Sequence, residues 1–155
     1  MAIRNAAKAI ILHEGKVLLN KCLGDKGQIY YDLPGGGQHP YETMEEAVVR
    51  ECLEETGYLV KPLRFAALAE EIYYNEELRS RFPDYAHRVH HVFVCQILDF
   101  NPGKATETDY QQEESVWLSL DEVDSLDIRP RQIKEVFHEL IRSSHPLYLG
   151  AVHEK

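Results

Sequence analysis

The feature that most constrains this chain is a run of three glycines between a short apolar strand and a sharply bounded helix. Residues 29–33, Ile-Tyr-Tyr-Asp-Leu, have the composition of a strand, and Pro34-Gly35-Gly36-Gly37 interrupts it. Glycine tolerates positive φ and lets neighbouring atoms come close, so this run predicts a tightly folded loop. Downstream, Thr43 and Glu46 have capping-box spacing, and Gly57 stands where a left-handed residue ends a helix. Met44, Ala47, Val48 and Cys52 recur at helical spacing, with Val49 and Leu53 widening the apolar stripe. Together these predict a helix over 43–56.

That helix carries an electrostatic problem. Glu51, Glu54 and Glu55 fall at i, i+3 and i+4, which is one helix face. They repel one another and crowd the negative end of the helix dipole, where stability alone favours lysine. A solvated acidic face is one reading. The other is a hard divalent cation that offsets the repulsion, and Mg²⁺ or Mn²⁺ takes such oxygen ligands and shares them with substrate phosphates. The glycine loop favours the second, because it can fold closely beside the carboxylates. Arg50 adjoins the face and can pair with Glu46, or with Glu42 if the loop folds back.

The whole composition sets the outer limits. The 155 residues hold 17 Lys+Arg and 26 Asp+Glu, a formal charge of −9, with 44% hydrophobic and 28% charged residues. Whole-chain disorder is excluded, and one domain is expected. A nucleic-acid polymer is a poor partner for so acidic a chain. A small phosphorylated substrate is not, since a divalent cation supplies local positive charge. Cys22, Cys52 and Cys95 are odd in number, form no CxxC and sit among apolar residues, as buried thiols of a reducing compartment do. The first residues lack a signal-peptide core, and no apolar run is long enough to span a bilayer. The expectation is a soluble cytoplasmic protein with no membrane partner.

Along the chain, residues 6–21 predict a hairpin turning at 13–16, 24–28 a loop, 63–73 a strand, and 74–88 an irregular polar segment. Residues 90–98 are apolar at both parities, like a strand covered on two faces. Residues 115–120 predict a strand, 119–122 a short acidic turn or helix, and 130–141 a helix with Pro130 in its first turn. The domain is expected over 1–142, with 143–155 a poorly ordered C-terminal tail. Strands flanking separated helices predict an α/β fold with a mixed sheet between helices.

From Gly36, five residues lead to Glu42 and seven more to Arg50-Glu51-Cys52-Leu53-Glu54-Glu55-Thr56-Gly57-Tyr58. This resembles the Nudix box, Gly-x5-Glu-x7-Arg-Glu-U-x-Glu-Glu-x-Gly-U, with U a bulky aliphatic residue. Every fixed position matches, and the two U positions carry Cys52 and Tyr58, where repacking is expected. Leu33-Pro34 before the box and residues 117–122, which include the lone Trp117, also look like the family. The resemblance implies the Nudix fold, with its mixed sheet between helices, and a hydrolase of phosphoric anhydride bonds. Its substrate is a nucleoside diphosphate linked to a second moiety: a nucleoside triphosphate, a dinucleoside polyphosphate or a nucleotide sugar. It further implies Glu51, Glu54 and Glu55 as ligands of Mg²⁺, with Mn²⁺ as a substitute, and Arg50 and Glu42 as groups orienting those carboxylates. Gly36 and Gly37 shape the substrate loop. One of Glu51, Glu54 and Glu55, or an acidic residue from a later loop, accepts the proton of the attacking water. Family members often dimerise, so the resemblance allows a homodimer, while the sequence itself does not give the oligomeric state. The competing reading is a catalytically silent Nudix module that binds nucleotides as a sensor or scaffold, although such modules normally lose the carboxylates.

Three further groups stay open. Glu114, with Glu113 and Asp109 as alternatives, is a candidate additional metal ligand from a later loop. Tyr74 and Arg88 are candidate substrate contacts within a segment that also holds Tyr73, Arg79, Arg81 and Tyr85. Aromatics stack bases and arginines clamp phosphate; a solvated loop is the alternative. His87, His91 and Cys95 would share one strand face with His90 on the other, which suits sheet packing better than a tetrahedral zinc site.

Overall fold

A computed structural model describes residues 2–101, 103–108 and 110–154. Strand β1, Arg4–His13, is central. It turns through Glu14 and Gly15, both at positive φ, into β2, Lys16–Leu23, giving the expected hairpin. Next come β3 (Ile29–Asp32), β4 (Gly35–Gly37), α1 (Met44–Thr56) and β5 (Leu59–Tyr73). After α2 (Glu76–Arg81) and a 3-10 turn at Pro83–Tyr85 come β6 (His87–Asp99) and β7 (Gln112–Ser119). A 3-10 turn at Leu120–Ser125, β8 (Ile128–Arg129), α3 (Arg131–Arg142) and β9 (Leu147–Glu154) complete the chain.

The strands form one curled mixed sheet in the order β8-β3-β2-β1-β6-β5-β9. Its centre is the parallel pair β1–β6, and β6 continues into the long antiparallel pair β5–β6. The sheet forks at β2, which pairs with β1, β3 and β7. One edge of β1 is shared: Ile11–His13 pair with β2, and Ala6–Lys8 pair with β4.

Each sheet face buries one helix. Helix α1 sets Ala47, Val48 and Cys52 on Ala7, Ala9, Ile11, Leu18 and Phe93. Helix α3 sets Ile133, Phe137 and Leu140 on Ile10, Val17, Leu19, Val92 and Val94. This alternation along β1 and β6 explains the apolar residues at both parities: both faces are covered. Phe137 is fully buried, so its truncation to alanine costs about 3–5 kcal/mol.

Four expectations change. The glycines are not a free loop: the open upper edge of β1 captures Gly35, Gly36 and Gly37 as a strand. The segment 74–88 is not irregular, because Asn75 caps α2 by accepting the Leu78 N–H. The segment 143–155 is not a poorly ordered tail through 154, since β9 runs parallel to β5 and brings Leu147 and Leu149 against the core. Leu53 does not widen the core stripe of α1, being 44% exposed.

Candidate active site

Helix α1 begins as its sequence dictates. Thr43 Oγ1 accepts the Glu46 N–H at 3.1 Å, and Glu46 Oε2 accepts the Thr43 N–H at 3.0 Å. It ends at Gly57, whose φ of 78° is the left-handed cap a side chain would strain. A Cβ at Gly57 would also fall on the Gly103 carbonyl. The backbone of 103–107 laps this end: Gly103 N–H donates to Gly57 O at 2.7 Å, and Thr106 and Glu107 N–H donate to Glu54 O at 2.8 and 3.0 Å. These amides satisfy helix-end carbonyls where the last turn has no basic residue.

Arg50 is the hub of the acidic face. Its Nε donates to Glu42 Oε2 at 2.7 Å and its Nη2 to Glu42 Oε1 at 2.9 Å. Its Nη1 donates to Glu51 Oε1 at 2.8 Å and Glu54 Oε2 at 3.2 Å, and its Nη2 also reaches Gly37 O at 2.9 Å. Of the two partners the sequence offered Arg50, the loop folds back and Glu42 is the one used; Glu46 is spent on the cap. The Arg50 bond holds the Glu42 carboxyl down at about 2, while the bond to Glu42 raises Arg50 above its usual range. Strand β4 fits against this hub for lack of side chains. A Cβ on Gly36 would lie 2.6 Å from the Glu51 carboxyl, and one on Gly37 would fall on the Arg4 guanidinium.

Glu55 has a different environment from its two neighbours. It is 4% exposed, and its Oε1 accepts the Gly35 N–H at 2.8 Å and Asn20 Nδ2 at 3.0 Å. Ser115 Oγ donates to Asn20 Oδ1 at 2.8 Å, and Gln112 Nε2 donates to Glu55 O at 3.3 Å. Glu55 thus ties α1 to β2, β4 and β7. On the far side of the glycines, buried Lys8 donates to Asp32, Leu33 O and Gly35 O, each at 3.3 Å.

The structure therefore brings together Gly36, Gly37, Glu42, Arg50, Glu51 and Glu54, with Glu55 turned inward beside them. It does not bring Glu114. Ser115 points to Asn20, so the adjacent Glu114 points to the other side of β7, where it is 61% exposed and 4.0 Å from Lys21. Asp109 lies outside the described residues. Tyr74 stacks on His153 at 5.3 Å at the β5–β9 margin. Arg88 sits on β6 against Glu71 at 2.7 Å. His90 is buried and bonded to Glu71 at 2.8 Å, so it is a sheet residue as expected. Sequence reasoning missed Lys8, Asn20, Gln112 and Ser115, whose polar side chains are recognisable only once the strands are paired.

Among the described residues, no three His, Cys, Asp or Glu side chains form a ready metal-ligand set. The carboxylates are gathered on Arg50. The donor chemistry nevertheless suits a hard cation: Glu51 Oε2 and Glu54 Oε1 accept no hydrogen bond from a described residue, and both belong to carboxylates held by Arg50 at their other oxygen. Cys52 and Tyr58 accommodate the two departures from the box pattern. Cys52 is fully buried in the core, and Tyr58 packs edge-on to Trp117 at 5.8 Å while its hydroxyl accepts the indole N–H at 3.2 Å.

The chain is similar to known proteins in sequence and in fold. A putative 8-oxo-dGTP diphosphatase of Bacillus subtilis is 48% identical over 34% of this chain and 34% of its own length. An ADP-ribose pyrophosphatase of Methanocaldococcus jannaschii is 32% identical over 70% of this chain and 57% of its own. The chain thus spans about a third and somewhat over half of these two relatives. In fold, a NUDIX hydrolase from Nitrosomonas europaea superposes with a TM-score of 0.71, at 20% identity over 94% of this chain and 93% of that one. The NUDIX domain profile matches residues 2–140, and the chain belongs to that family.

Proposed function

We propose that this protein is a Mg²⁺-dependent pyrophosphohydrolase, with Mn²⁺ as a substitute, that cleaves a nucleoside diphosphate linked to a second moiety. The observation that carries this reading is the Arg50 hub, which presents Glu51 and Glu54 beside the side-chain-free strip of Gly36 and Gly37. Glu51, Glu54 and Glu55 would hold the cation; Glu114, on the other side of β7, has no place in the reading. When bound, such a cation polarises phosphoryl oxygens and lowers the pKa of a coordinated water.

The chain's own groups supply the rest. Glu42 fixes Arg50, and Arg50 fixes the two carboxylates, so their open oxygens need little reorganisation. A carboxylate of the cluster accepts a proton from the attacking water. The water oxygen bonds to phosphorus, the bond from phosphorus to the bridging oxygen breaks, and the leaving phosphate departs with the electron pair. No protein nucleophile is used. Arg88, on β6, serves the substrate from across β1.

The relatives' names put oxidised guanine nucleotides and ADP-ribose first among substrates to try. The test is a panel of nucleoside triphosphates, dinucleoside polyphosphates, ADP-ribose and nucleotide sugars, with Mg²⁺ and with EDTA. The expected result is Mg²⁺-dependent release of phosphate or pyrophosphate products from at least one of them. Glu54→Gln is expected to lower turnover at least about 100-fold with the fold retained. Binding without turnover across the panel would favour the silent nucleotide-binding module.

A further inference from the structure

We propose that Arg4 and Arg88 form an anion subsite that takes a phosphate of the substrate on the side of β4 opposite the carboxylates. The inference deepens the hydrolase reading above and rests on it for the identity of the ligand. Arg4 and Arg88 are direct partners in the parallel register of β1 and β6, so both side chains rise from the same sheet face. Like charges directly opposite each other are unfavourable, and the chain as a whole is acidic. Glu71 offsets the charge of Arg88, and an anion between the two arginines would offset that of Arg4 as well.

The two arginines are unequally engaged. Arg88 Nη2 is bound to Glu71 Oε2 at 2.7 Å and to the Tyr73 hydroxyl at 3.4 Å, yet its Nε is buried with no hydrogen-bond partner among the described residues. Arg4 has no hydrogen-bond or ion-pair partner among the described residues; its guanidinium carbon lies 4.7 Å from the centre of the Tyr85 ring. Arg50, Arg81, Arg129 and Arg131, by contrast, all pair with carboxylates. Stacking on Tyr85 holds the Arg4 plane while leaving its N–H edge for a ligand. A planar fork of donors beside a second arginine suits phosphate oxygens better than a point charge does.

Gly37 connects this pair to the reacting groups. Its missing side chain is what leaves room for Arg4, and its carbonyl accepts Arg50 Nη2 at 2.9 Å. A polyphosphate crossing the strip at Gly37 therefore meets carboxylates on one side and arginines on the other.

The test is calorimetric binding of inorganic pyrophosphate to metal-free protein, with the kinetics of whichever panel substrate turns over. Arg4→Gln is expected to weaken pyrophosphate binding at least about tenfold and Arg4→Lys by less, with unchanged circular dichroism. On the substrate, Arg4→Gln should raise KM by a larger factor than it lowers kcat. Wild-type protein that fails to bind millimolar pyrophosphate, or an Arg4→Gln variant that binds it as tightly, overturns the subsite. If no substrate turns over, the hydrolase reading fails, and the pyrophosphate titration still decides whether the arginines hold an anion.

Discussion

Arg50 meets Glu42 edge-on, with Nε 2.7 Å from Oε2 and Nη2 2.9 Å from Oε1. This two-point contact fixes the guanidinium plane, and that plane aims Nη1 at Glu51 and Glu54. An ammonium group cannot reproduce the geometry. Arg50→Lys should therefore lower kcat by at least about tenfold while costing about 1–2 kcal/mol of stability. Steady-state kinetics and urea unfolding, run on the same preparations, check both.

Glu55 should behave unlike its neighbours when truncated. Glu55→Ala removes the acceptor of the buried Gly35 N–H and of Asn20 Nδ2, which should cost about 2–4 kcal/mol. Glu54→Gln removes charge from a crowded, partly exposed face and should shift stability by less than about 1 kcal/mol. Urea unfolding of both variants without metal tests the contrast; equal losses would contradict it.

Gly36→Ala separates folding from chemistry. The added methyl meets the end of the Glu51 side chain, which can move, and no backbone atom is among its nearest contacts. Stability should stay within about 1 kcal/mol of wild type, while turnover falls because Glu51 leaves its seat beside the glycine strip. Thermal melts and turnover measured together show whether the two effects divide in this way.

Acid should weaken the fold in two stages. Burial holds His90 below its usual 6.5, so the unfolded chain takes up a proton first and stability begins to fall as pH drops through that value. Burial pushes the Glu71 carboxyl up, but its His90 bond and the charge of Arg88 outweigh this and bring it to about 2 from 4.5. Its contribution is thus present above about pH 4.5 and lost towards pH 2. Glu71→Gln should cost on the order of 3 kcal/mol at pH 7 and progressively less in acid. Urea unfolding from pH 7 to pH 3 measures the convergence.

Much of this site is local in sequence, which is why it could be read there. The caps at Thr43 and Gly57 and the spacing of Glu51, Glu54 and Glu55 need only one helix to be meaningful. What could not be read depends on pairing between distant segments. Glycines have little strand propensity, and β4 exists because Ala6–Lys8 offer it an open edge. Strand β9 mixes half-buried and exposed residues and follows the polar link Ser143-Ser144-His145-Pro146, so its place beside β5 is a tertiary outcome. Asn20, Glu55 and Ser115 form one hydrogen-bonded chain from three elements, and no spacing rule connects them. Glu114 lies apart from the cluster for the converse reason: a charge near the right strand is on the right face only half the time.

The central claim is that the Arg50-held carboxylates take up a divalent cation, and Mn²⁺ binding followed by electron paramagnetic resonance tests it most directly. Wild-type protein should sequester Mn²⁺, and a Glu51→Gln/Glu54→Gln variant with unchanged circular dichroism should bind it at least about tenfold more weakly. Equal Mn²⁺ binding by the two proteins, or none by either in the millimolar range with and without nucleotide, would contradict it.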